Sequence, residues 1–132
     1  MEDGALRGEV AEVLATYFDG LYHSDSGRLK AVFHPKAVYV TASEAARGGE
    51  LVHLTMAQYF TIVDARPSPA GRGEVRRDRI DSIDFAGPET AFARVTCAIA
   101  PKVFTDFLTL VRVEGRWQII AKVFHFEIEE ED

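Results

Sequence analysis

Asp106 and His125, in the closing stretch "FTDFLTLVRVEGRWQIIAKVFHFEIEEED", are the two residues whose types and placing best suit chemistry. A buried carboxylate beside an imidazole can hand a proton on near neutral pH, because burial raises the acid and the acid raises the base. They fall in two strand-like runs joined at Glu114-Gly115. If those two residues form a hairpin turn, Val113 faces Arg116, and counting back pairs Leu110 with Ile119, Leu108 with Ala121, Asp106 with Val123 and Phe104 with His125. Cross-strand partners share a face, so Asp106, Leu108, Leu110, Trp117, Ile119, Ala121, Val123 and His125 are expected on one side. Asp106 and His125 then become diagonal neighbours about 7–8 Å apart at the backbone. A one-residue bulge would break the register and separate them. The alternative is that Asp106 bonds backbone amides and His125 sits at a wet strand end.

Other side chains could join such a site. Tyr17, Tyr39 and Tyr59 lie on or beside apolar stripes, as core residues whose hydroxyls find partners or as the rim of a pocket. His34 stands before Pro35, at a helix end or as a base, and His53 may face either way across a short strand. Four scattered histidines without i,i+4 spacing or a cysteine cluster argue against a metal site, and no cofactor is expected. Neither a glycine-rich nucleotide loop nor a GxSxG elbow is present. The single cysteine, Cys97, reads as a packed thiol or a pocket wall.

The elements that must position these residues follow from periodicity. Glu9 to Tyr22 carries Val10, Val13, Leu14, Tyr17, Phe18 and Leu21 on one helical face. Asp25 or Ser26 caps a second short helix that ends at His34-Pro35. "KAVYVTA" reads as a strand, "SEAARGGE" as a polar turn and "LVHL" as a returning strand. Thr55 and Gln58 form a capping-box pattern ahead of a third helix, "MAQYFTIVDA". "RPSPAGRG", residues 66–73, reads as an exposed loop. From Glu74 onward the period changes to two, giving strands near 75–85, 90–100, 104–113 and 116–128. Helices first and an antiparallel meander last make an α+β fold with helices covering one face of a curved sheet.

The 132 residues fit one domain spanning 1–132, with an acidic tail at 127–132. A net charge of -6 argues against nucleic acid as the main partner. The arginines between Arg72 and Arg79 therefore read as a solvated edge. No apolar stretch approaches the roughly 18 residues of a membrane span, and the acidic N-terminus is unlike a secretion signal, so a cytoplasmic protein is expected. The face bearing Phe107, Phe124 and Phe126 is too apolar to leave in water, which points to a homodimer through the sheet.

"VLATYFDGLYHSDSGRLKAVFHPKAVYV", "LTMAQYFTIV" and "FTDFLTLVRVEGRWQIIAKVFH" together resemble, in order, the lumazine-binding-labelled family of the nuclear transport factor 2-like (NTF2-like, SnoaL-like) superfamily. The resemblance implies an α+β cone, with N-terminal helices packed into a strongly curved, mostly antiparallel sheet and dimers formed through that sheet. It also implies Asp, His and Tyr side chains in the cavity as proton carriers where members are enzymes; here Asp106 and His125, with Tyr17 and His34 from the early motifs.

The expectation is a pocket for a small hydrophobic or aromatic ligand, lined by Tyr17, Leu21, His34, Tyr39, Tyr59, Leu108, Trp117 and Val123. Asp106 and His125 would serve a cofactor-free isomerisation or dehydration. The competing reading is a non-catalytic dimeric module whose cone is filled by its own side chains. An open cavity of about 300 Å³ or more favours the first.

Overall fold

The computed structural model of the chain describes residues 2–130, so Glu131 and Asp132 of the acidic tail lie outside it. Helix α1 (Glu2–Tyr22) is followed by α2 (Ser26–Val32), β1 (Phe33–Thr41), the short α3 (Glu44–Arg47) and β2 (Val52–Leu54). Then come α4 (Met56–Ala65) and four strands, β3 (Arg79–Phe85), β4 (Thr90–Ile99), β5 (Lys102–Val113) and β6 (Arg116–Ile128). The six strands form one sheet in the order β2-β1-β6-β5-β4-β3, antiparallel throughout except where β1 runs parallel to β6. The architecture is the α+β cone, with helices against one face of the sheet.

Local chemistry sets the helix ends. The Asp25 carboxylate accepts the N–H groups of Gly27 and Arg28 and starts α2. Thr55 and Gln58 close a reciprocal capping box at α4. Where α1 and α2 cross, a Cβ on Gly20 would stand 2.6 Å from Leu29 Cδ2, so any larger residue there has to displace the Leu29 side chain. The polar turn expected over 43–50 contains α3, ended by Gly48 in the left-handed conformation. The loop at 66–73 is anchored: Pro69 is fully buried and Ala70 N–H donates to Tyr22 O.

Val10, Leu14 and Tyr17 of α1 are wholly buried in one core with Val95, Leu108, Leu110 and Ile119 of the sheet. Each such aliphatic side chain contributes about 1.5–3 kcal/mol of burial. Glu114 and Gly115 both take positive φ, 52° and 76°, which matches the right-handed twist of the two strands they join.

From that turn the pairing runs as counting predicts to Leu110 opposite Ile119, and then slips. Thr109 faces Ala121, leaving Ile120 as the extra residue of a bulge. Beyond it Leu108 faces Lys122, Asp106 faces Phe124 and Thr105 faces His125. The slip sends Lys122, Phe124 and Phe126 to the helix-covered side and puts Val123 and His125 outside.

Candidate functional site

Asp106 points into the helix-covered interior and is completely buried. The Tyr17 hydroxyl of α1 donates to its Oδ2 at 2.5 Å, and the Cys97 thiol of β4 approaches the same oxygen at 3.9 Å. Asp106 Oδ1 has no partner among the described residues. Burial, then the adjacent Asp106 charge, holds the Tyr17 hydroxyl well above the usual tyrosine range, so it stays a neutral donor. The same causes push the Cys97 thiol up, which makes it a poor nucleophile.

Lys122 is the second buried charge, 4% exposed. Its Nζ donates to Tyr59 Oη at 3.0 Å and lies 4.8–5.6 Å from the ring centroids of Tyr17, Tyr39, Tyr59 and Phe124. These π-faces replace part of the lost hydration. Burial works against the charged form, but the Tyr59 and Asp106 oxygens outweigh it and hold Lys122 above the usual lysine range. Lys122 is thus an ammonium at neutral pH. Because Tyr59 accepts from Lys122, its own hydroxyl hydrogen is available to another acceptor.

Above this pair a cavity of about 100 Å³ opens between α1, α4 and the sheet. Tyr39, Tyr59, Phe104, Phe124 and Phe126 supply aromatic walls, and Lys122, Arg66 and Lys102 supply the charge. No carboxylate or imidazole lines it among the described residues. Its volume is well short of the 300 Å³ expected of an open pocket, because the inward Phe124 and Phe126 fill space. Asp106 and Tyr17 lie behind its wall, so Asp106 bears on the cavity through Lys122.

Several expected placings are corrected. Asp106 and His125 do not meet: the bulge turns His125 to the outer face, where its side chain is 58% exposed. Val123 leaves the pocket for the same reason and is 45% exposed. His34 lies within β1, its Nδ1 accepting Lys36 N–H at 3.0 Å, beside a separate surface groove against α4. Leu108 is sealed in the core, and Trp117 is packed elsewhere, its Nε1 donating to Glu9 at 3.0 Å. Leu21, Tyr39 and Tyr59 do line the cavity.

His125 joins another arrangement, with Nδ1 3.3 Å from Ser43 Oγ and Nε2 3.2 Å from Glu127 Oε2. The order is that of an acyl-transfer triad, but Ser43 is 4% exposed and its Oγ accepts Phe126 N–H while bonding Thr41 Oγ. That hydroxyl closes the β1 to β6 contact and is shut away from any acyl carbon.

Lys122, Arg66 and Lys102 were missed as site residues. Lys122 sits in a run, Ile119 to Phe126, whose apolar residues stand at odd and even positions alike, so alternation there does not fix which face Lys122 takes. Nothing in the sequence marks Arg66 or Lys102 either. No cluster of three or more His, Cys, Asp or Glu side chains gathers among the described residues, and no helix there is long and apolar enough to cross a membrane.

This cone, with its helix-covered face and small polar-headed cavity, defines an NTF2-like protein. Residues 5–125 match the family described as "Putative lumazine-binding", and the chain belongs to that family. Among curated proteins it is similar to one named aldolase FrzH from Cladobotryum sp, 30% identical over 123 residues, covering 89% of this chain and 90% of that one. Among solved structures it is similar to an NTF2-like protein of unknown function from Silicibacter pomeroyi, with TM-score 0.81, 25% identity and 96% and 100% of the two chains covered. An NTF2-like protein of unknown function from Shewanella baltica gives TM-score 0.80 at 26% identity over 92% and 93% of the two chains.

Proposed function

We propose that the chain is a cofactor-free enzyme acting on a small carbonyl compound through an enol, with aldol cleavage or condensation as its reaction. The observation that carries the reading is the contact between the buried Lys122 ammonium and Tyr59 Oη, two residues that both line the cavity. The similarity to a protein named an aldolase supports the reaction type.

In the cleavage direction the Cα–Cβ bond of a β-hydroxy carbonyl compound breaks: the β-carbon becomes a second carbonyl as its hydroxyl loses a proton, and the electron pair of the broken bond forms the enol double bond. Tyr59 gives its hydrogen to the carbonyl oxygen as charge develops, and the Lys122 ammonium holds the phenolate. The β-hydroxyl proton leaves through water at the mouth and restores Tyr59. A lysine kept protonated in this way is a weak nucleophile, so Lys122 serves electrostatically and forms no Schiff base. Isomerisation and dehydration pass through the same enol.

The test is a panel of small β-hydroxy carbonyl compounds followed by NMR for cleavage products, with borohydride present and absent. Cleavage without a reduced lysine adduct is expected. A covalent adduct on Lys122, or no turnover across the panel, contradicts the reading.

The small cavity favours a second reading, a non-catalytic binding module, which the same panel separates. Phe124 and Phe126, two of the three phenylalanines that pointed to a dimer, are turned inward by the bulge and buried, so the proposed homodimer through the outer sheet face rests on other residues. Phe107 and Val123 stand 43% and 45% exposed on that face, beside Phe92, whose ring centroid is 5.3 Å from that of Phe107.

A further inference from the structure

Arg66 follows the last turn of α4 and lines the cavity mouth. Its Nε and Nη2 are buried and have no partner among the described residues. Other arginines of the region are matched: Arg72 with Glu74, Arg76 with Asp19 and Asp78, Arg77 with Glu129, and Arg79 with Asp81. That edge is closed to a water-sized group, so what Arg66 offers the cavity is the charge of its guanidinium, which attracts a carboxylate.

The rest of the cavity agrees. In a chain of net charge -6, Arg66, Lys102 and Lys122 converge on one small space with no acid in its lining. The Lys102 ammonium sits 4.9 Å from the Phe126 ring centroid, holding a cation over an aromatic wall. Aromatic faces around a cationic mouth select a flat or apolar body bearing a negative group.

We infer that the cavity binds a small carboxylate with an aromatic or short apolar body, the carboxylate drawn to Arg66 in a lining of three cations and no acid, and the body against Phe104 and Phe126. This rests on the enol reading above and narrows its substrate to a carbonyl compound that carries a carboxylate. The deeper Lys122 and Tyr59 pair then receives the reacting oxygen, while Arg66 fixes orientation.

Benzoate and its neutral near-isostere benzamide test the site by calorimetric or NMR titration of the wild-type protein and of Arg66→Met, which keeps the apolar stem. Benzoate should bind about tenfold or more tightly than benzamide to the wild type, since a charge-assisted pair is at stake. Arg66→Met should erase that preference, lowering benzoate affinity about tenfold or more relative to benzamide, because the guanidinium charge is lost. Equal affinities in the wild type, or a preference that survives Arg66→Met, would overturn the inference while leaving the carbonyl cavity standing. Failure of both molecules to bind would overturn the inference and the cavity reading together, with water filling the site instead.

Discussion

The Tyr17 hydroxyl donates to Asp106 Oδ2 at 2.5 Å, tying the first helix to the middle of the sheet across 89 residues of sequence. This contact anchors the floor beneath the cavity. Asp106 counterbalances Lys122 without reaching the cavity itself, so its influence on any reaction passes through the ammonium above it.

Tyr17→Phe removes one donor and leaves that carboxylate oxygen buried. Stability should fall by about 1–3 kcal/mol with the fold retained, the usual cost of an unsatisfied buried acceptor. Urea denaturation of the two proteins measures it, and an unchanged midpoint would show that the bond contributes nothing net.

Lys122→Met should be the more damaging change, about 3–5 kcal/mol, because it strands the Asp106 charge in an apolar interior. Adding Asp106→Asn to it should restore part of the loss, a coupling of about 0.5–3 kcal/mol between the two sites. Strict additivity in the double-mutant cycle would mean that the two charges do not sense one another.

The pH dependence follows from the same groups. Lys122 is held above its usual range by Tyr59 and Asp106 against the opposing pull of burial, and Tyr17 is raised by burial and then Asp106. Both therefore keep their protons longer in the fold than in the unfolded chain, where Lys and Tyr titrate near about 10.4 and 10. Below those values their contribution is fully present. Above about pH 10 the unfolded chain releases these protons first, and stability is lost. A melting series should show these groups contributing no slope from pH 7 to about 9.5 and a fall beyond about 10 that is shallower in Tyr17→Phe. An alkaline limb equally steep in that variant would contradict the assignment.

On the outer face, Val123→Asp or Phe107→Asp should convert a dimer into a monomer, because like charges would meet across a two-fold axis. Light scattering after gel filtration reads the mass directly. A wild-type monomer would remove the sheet-face dimer.

How far the site was legible can be followed residue by residue. The Thr55 and Gln58 box, the Asp25 cap and the Glu114-Gly115 turn act over a few residues, and each stands where local chemistry placed it. The cone followed from the change of period after α4. The site did not, because it depends on Ile120, a single bulged residue that exchanges His125 for Lys122 as the inward polar side chain. By the same hairpin counting Lys122 falls on the outer face, whereas the fold sets four aromatic rings around it. Arg66 needed tertiary information entirely, for only the folded cone brings it to the cavity beside Lys102 and Lys122.

The most direct measurement is the turnover of Tyr59→Phe and of His125→Ala on one cleaved carbonyl compound, each checked for an unchanged fold. Loss of a hydrogen-bond donor at a developing oxyanion should slow Tyr59→Phe by about 100- to 1000-fold. His125→Ala, on the far side of the sheet, should stay within about twofold of the wild type, as expected of a surface residue outside the site. The reverse pattern, with His125→Ala inactive and Tyr59→Phe active, would contradict the placement of the chemistry at Lys122 and Tyr59.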